Sequence, residues 1–159
     1  RWIDTALKHN PKTEIFIGIS WATQAKAREA AEYHEACVKG AEGVNEQIVA
    51  KLREAYPETQ IHLLHYGIAA CELKTRFDSG KLAEDFPANA DARNNHLFRD
   101  ELGHATPMLL DLAALLWLEE LYQADLSKLE LARSYKADLK AIAGPLMEYN
   151  AKFAAAEKQ

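Results

Sequence analysis

The stretch Leu97-Phe98-Arg99-Asp100-Glu101-Leu102-Gly103-His104-Ala105-Thr106-Pro107 places two carboxylates just ahead of one histidine. Asp100 stands four residues before His104 and Glu101 three. An acid beside an imidazole fixes which ring nitrogen carries the proton and stabilises the imidazolium, so that the other nitrogen can act as a general base on a nucleophile. Either Asp100 or Glu101 suits that role. A loop histidine with solvated acidic neighbours has the same spacing. A second candidate is Gly18-Ile19-Ser20-Trp21-Ala22, which reads G-x-S-x-A and is close to the nucleophile elbow of α/β-hydrolases. Ser20, with Asp100 or Asp111 and His104, would then form a triad within the chain. Against this, Ala22 stands where the elbow has its second glycine, and Ser20 can equally cap a following helix.

Metal chemistry finds little support. His62 and His65 lie three apart in an apolar run, and on a strand that spacing sends the rings to opposite faces. Glu101 and His104 match one arm of a di-iron carboxylate site, but the second arm is missing from the sequence. His34-Glu35-Ala36-Cys37, with Glu29 and Glu32 nearby, reads as a solvated acidic helix face. No metal and no cofactor are expected.

The elements that must position these residues follow from apolar periodicity and breakers. Trp2 to Lys8 reads as a helix closed by His9-Asn10-Pro11, since the residue before a proline leaves the helical region. Glu14 to Ser20 is a short β-branched run, the pattern of a buried strand. A helix is predicted from Thr23 to Lys39, interrupted by Gly40 and Gly43, and a second from Val44 to Tyr56, ended by Pro57. Gln60 to Gly67 is the second strand and Ile68 to Phe77 a helix. Residues 81–98 read as loop. Thr106 and Pro107 suit the N-cap and first position of a strongly apolar helix reaching Tyr122. Ser127 with Glu130 resembles a capping box for a further helix, and Gly144-Pro145 is expected to separate that helix from a final alanine-rich one.

The chain of 159 residues suits one domain, and its composition is that of a globular protein. A net charge of −5 lacks the basic footprint of a nucleic-acid binder, so no nucleic acid is expected as a partner. The longest apolar run, Leu112 to Leu118, is too short to span a membrane. Cys37 and Cys71 form no C-x-x-C pair and read as buried or reduced thiols. The compartment stays open, because the chain begins at Arg1 already inside a helical pattern.

Strand–helix–strand alternation predicts an α/β fold with parallel pairing. Two buried strands need neighbours that this sequence does not supply, which suggests part of a larger sheet. In three places the residues resemble the SGNH/GDSL hydrolases. Asp100 and Glu101 before His104, followed by the apolar helix to Glu120-Leu121-Tyr122, resemble that family's last block, where an acid-x-x-His motif supplies the base of a Ser-His-Asp triad. Ile61 to Gly67 with Ala69 to Leu73 resembles the strand and helix before it. Trp2 to Trp21 resembles the preceding helix and strand, often followed by an aromatic residue.

The resemblance covers residues 1–125. It implies a three-layer α/β/α, flavodoxin-like domain of which only the C-terminal portion is present, with residues 126–159 as a helical extension. It implies a serine esterase in which His104 is the base, Glu101 or Asp100 its partner, and Trp21 a wall of the cleft for a small-molecule or carbohydrate ester. Two departures stand out. Glu101 occupies the place of the family's usual aspartate. The Gly-Asp-Ser nucleophile block and the oxyanion blocks are not in the sequence. The nucleophile would therefore lie in an N-terminal half, missing or supplied as a separate chain. The alternative from another class is a non-catalytic α/β interaction module or pseudoenzyme fragment.

Overall fold

The structure is a computed structural model that describes residues 1–22, 29–84, 97–100 and 102–153. Helix α1 (Trp2–His9) leads into strand β1 (Ile15–Gly18). Helix α2 (Ala30–Val44), one π-helical turn (Asn45–Val49) and helix α3 (Ala50–Ala55) run without a break. Strand β2 (Ile61–Leu64) and helix α4 (Ile68–Asp78) follow, then helix α5 (Pro107–Tyr122), a 3₁₀ turn (Leu126–Lys128) and helix α6 (Leu139–Ala151). The predicted termini of α1, α4 and α5 hold to within a residue.

The two strands pair in parallel, Ile15 opposite Ile61 and Gly18 opposite Leu64. Among the described residues this is a two-stranded sheet, so the protein is a helical α/β chain around a small parallel sheet. Backbone bonds prolong the pairing beyond the ladder. Ile19 N donates to Leu64 O at 2.8 Å, and Gly67 N donates to Ile19 O at 3.0 Å.

Side chains alternate across the strands as their period of two requires. Ile15, Ile17, Ile61 and Leu63 join one apolar cluster with Ile3 of α1, Ala41 and Val44 of α2, Val49 and Leu52. Phe16 and His62 point the other way, and their rings stack at 4.6 Å. Leu64 belongs to the larger cluster, where α4 and α5 meet through Ile68, Cys71, Leu73, Leu109, Leu112, Leu115 and Leu116. Each of those leucines is 1% exposed or less, and burying a side chain of this size contributes about 1.5–3 kcal/mol. Leu126, Leu139, Ile142, Ala143 and Leu146 lie in the same cluster, so the C-terminal segment shares the core. Arg53 ties the smaller cluster to the chain end: its Nε donates to Ile61 O at 2.9 Å and its Nη2 to Phe153 O at 2.7 Å.

Four expectations change. Gly40 and Gly43 do not interrupt the helix. A Cβ at either would meet nothing within 4 Å beyond its own stretch of helix, and the buried Tyr33, Cys37, Ala41 and Val49 hold the rod together across them. Ser127 caps no helix: it is itself capped, its N–H donating to Asp125 Oδ1 at 3.1 Å in a single 3₁₀ turn. Gly144 and Pro145 lie inside α6, which starts at the Asp138 cap instead. Pro145 removes one N–H, but it and Ala141, whose carbonyl is released, are both exposed to water. The buried residues Leu139, Ile142, Ala143, Leu146 and Asn150 outweigh that loss.

Cys37 and Cys71 are joined as a disulfide that pins α2 to α4. Sequence spacing could not show this, because the two helices meet only through tertiary packing. The bridge closes a loop of 34 residues, and restricting the unfolded chain to that extent is worth about 3–4 kcal/mol. Reduction, or paired replacement of both cysteines by serine, is expected to lower unfolding free energy in urea by that amount. An unchanged urea midpoint would show that the bridge does not form.

Candidate functional site

The acid–histidine stretch folds as a tight hairpin rooted in the core. Phe98 and Ala105 form an antiparallel bridge, Arg99 N donates to His104 O at 2.7 Å, and Thr106 N donates to Leu97 O at 2.8 Å. Leu97, Phe98, Gly103 and Ala105 are buried, while Arg99, Asp100, Leu102 and His104 are exposed. Gly103 closes the tip with φ of +85°, a conformation that costs a side chain about 1–2 kcal/mol.

At the tip, His104 Nδ1 lies 2.5 Å from Asp100 Oδ2. The carboxylate is acceptor-only, so Nδ1 carries the proton and donates. In the neutral imidazole this arrangement leaves the lone pair on Nε2, and no described residue bonds to that nitrogen. The other oxygen, Asp100 Oδ1, accepts from the backbone N–H groups of Leu102 at 3.1 Å and His104 at 3.2 Å. The carboxylate is thus oriented by the hairpin's own backbone before it meets the ring. The His104 side chain beside it, together with these amides, holds the Asp100 carboxyl below its ordinary range. The pair is accessible: the side chains are 61% and 43% exposed. Glu101, the other candidate partner, lies outside the described residues.

Trp21 reaches this hairpin from the end of β1. Its Nε1–H donates to Gly103 O at 3.1 Å. The indole also packs edge-on against Tyr66, centroids 5.6 Å apart, and lies tilted against Phe98 at 6.4 Å. Tyr66 in turn touches Trp117 of α5 at 5.5 Å. These aromatics gather just beyond the carboxyl ends of the two parallel strands, where ligands bind in open α/β sheets. Sequence reasoning singled out Trp21 but missed Tyr66, Trp117 and Phe98. Tyr66 directly follows the second strand, and that position was the available signal.

The triad built on Ser20 does not assemble. No hydrogen bond among the described residues joins Ser20 to His104, and the two residues that follow Ser20, Trp21 and Ala22, are not helical; the start of the helix predicted from Thr23 lies outside the described residues. Asp111 is engaged elsewhere, accepting from Arg133 Nη1 at 2.8 Å and the Tyr135 hydroxyl at 2.7 Å.

His62 and His65 diverge, as strand parity requires. The nitrogens of His62 lie 3.7 Å from Glu14 on one side and Glu120 on the other. His65 is 1% exposed and sits against α6: its backbone N donates to Asn150 Oδ1 at 2.9 Å, and its ring lies against Tyr149. Compared with known proteins, the chain matches no family profile, no curated sequence and no solved structure.

Two measurements test this geometry. A Cβ on Gly67 would come within 2.3 Å of the Ser20 carbonyl group and 2.4 Å of Trp21 N, both backbone. Gly67→Ala is expected to cost about 3 kcal/mol or more, whereas Gly40→Ala, on an open helix face, should gain about 0.5–1 kcal/mol. Equal melting temperatures for the two variants would refute the close approach.

Burial, reinforced by the positive charges of His34 and Lys152 when present, pushes His65 down to about 4. Between its ordinary value of 6.5 and that value, the unfolded chain binds a proton that the folded chain refuses. The stability from a neutral His65 is therefore complete above pH 6.5 and is lost as pH falls towards 4, about 3 kcal/mol in all. Urea midpoints at pH 7 and pH 4.5 should fall further apart in the native protein than in His65→Gln. Equal separations would contradict this burial effect.

Proposed function

We propose that this chain supplies the histidine–acid part of a serine acyl-ester hydrolase of the SGNH kind, folded as the C-terminal portion of a three-layer, flavodoxin-like α/β/α domain. The observation that carries the reading is the Asp100–His104 pair: Nδ1 committed to a carboxylate that two backbone amides orient, and Nε2 open at the strand ends. In this reading Nε2 takes the proton from a serine hydroxyl as its oxygen attacks the ester carbonyl. Asp100 stabilises the imidazolium, the proton passes to the departing alkoxide, and the same nitrogen then activates water against the acyl-enzyme. The serine and the oxyanion donors come from an N-terminal half of the domain, on this polypeptide or another. The substrate is a small-molecule or carbohydrate ester.

Two features support a larger domain. The edge of β1 away from β2 has no described partner strand, leaving backbone groups of a short parallel sheet open to pairing. Helix α5 is apolar nearly all round, which is typical of a helix covered on all sides. Its outer side exposes Leu110, Leu118, Leu121 and Tyr122. That exposed stripe equally favours a second reading, in which the chain is a non-catalytic module and this stripe takes a protein partner.

A serine-directed fluorophosphonate separates the two, labelling the hydrolase and leaving the module unlabelled. In the intact protein, His104→Ala is expected to lower ester turnover by about 10³-fold or more, and Asp100→Asn by about 10²–10⁴-fold. Both variants should melt within a few degrees of the native protein, since the side chains are exposed. Unchanged turnover in His104→Ala would exclude the hydrolase reading.

A further inference from the structure

We infer that Trp21 is a positioning residue for His104, acting through the Gly103–His104 peptide group rather than by touching substrate; this rests on the hydrolase reading for its consequence in turnover. The peptide group that joins Gly103 to His104 is held at both ends. Its carbonyl oxygen accepts from Trp21 Nε1 at 3.1 Å, and its N–H donates to Asp100 Oδ1 at 3.2 Å. The same carboxylate, through Oδ2, receives the imidazole Nδ1–H. The plane of this peptide sets where the His104 Cα–Cβ bond points, so a rotation there would carry the ring away from Asp100.

Among the described residues of the hairpin tip, 99–100 and 102–104, the Trp21 bond is the only hydrogen bond that arrives from elsewhere in the described chain. The tip's other bonds are internal: Arg99 N to His104 O, Gly103 N to Asp100 O at 3.3 Å, and the two amides on Asp100. A hairpin held by internal bonds alone can keep its shape and still swing as a unit. The indole removes that freedom because its own position is determined. Tyr66 and Phe98 pack its ring, and the Ser20–Trp21 backbone lies against Gly67. The general base is thereby referenced to the ends of the parallel strands, through a bond between Trp21 and Gly103, 82 residues apart in sequence. Misplacing a reacting group by about 1 Å can cost about 10²-fold in rate.

Trp21→Phe in the intact protein keeps an aromatic ring and deletes the N–H. Amide exchange at His104 is expected to accelerate about tenfold or more, with exchange in β2 and α5 unchanged. The His104 Nδ1–H proton signal should broaden, and kcat should fall about tenfold with KM within about twofold of native. A tryptophan that serves only as a wall for substrate gives the opposite split: KM rises, kcat is kept, and His104 exchange is unaltered. That result would overturn the inference.

Should Trp21→Phe fail to fold, the native protein decides the matter through its indole. Slow exchange of the Trp21 Nε1–H supports the bond to Gly103, and exchange at the rate of free indole refutes it. The exchange and proton signals need no turnover. If His104→Ala left turnover intact, the hydrolase reading would fail, while the exchange data would still decide the clamp.

Discussion

Everything at the candidate site depends on how closely the backbone beyond β1 passes the backbone beyond β2. Parallel pairing does not stop at the ladder. Ile19 donates to Leu64 and accepts from Gly67, which draws the Ser20–Trp21 peptide onto a residue with no side chain. Gly67 has ordinary helical φ there, so what the position requires is space and not an unusual dihedral. The approach makes the two strand ends one rigid floor. On it stand Trp21 and Tyr66, and from it the indole reaches the hairpin that carries His104.

The rest of the molecule braces that floor. One apolar cluster packs α1, the α2–α3 rod and the inner strand residues, and the larger one packs α4, α5 and α6. The Cys37–Cys71 bridge joins the rod to α4, the helix that starts directly at Gly67. Tyr33, wholly buried on α2, donates its hydroxyl to Ala22 O and so anchors the chain just after Trp21. The hairpin follows the same logic on a smaller scale. Its root is buried through Leu97, Phe98 and Ala105, and the side chains of Asp100, Leu102 and His104 at its tip are in water. Anchoring a polar tip by an apolar root orders an imidazole without the desolvation that full burial would impose.

An acid–histidine pair that stands about half open to solvent interacts through a high effective dielectric. The same pair covered by a neighbouring surface would interact more strongly, because Coulomb energies rise as water leaves. The exposed leucines of α5, and the edge of β1 that has no partner strand among the described residues, offer apolar and backbone surface to such a neighbour.

The local pattern alone determined α1, α4, α5 and the two strand cores. Prolines mark where helices stop or start, and short β-branched runs mark strands wherever both faces are buried. It also put an acid and His104 within reach of each other, because their spacing is short enough for one loop to present both, but the same spacing suits a solvated acid and a free ring. What the tertiary structure decided is everything that depends on a neighbour. Asp100 meets the ring because backbone amides of the hairpin turn its carboxylate inward. Gly40, Gly43, Gly144 and Pro145 lie within helices, since burial elsewhere on each helix exceeds the local cost of those residues. Cys37 finds Cys71 only once α2 lies on α4. The role of Trp21 could not be read from its position after a strand, for an indole N–H and a glycine carbonyl 82 residues apart carry no sequence signal until the fold sets them 3.1 Å from each other.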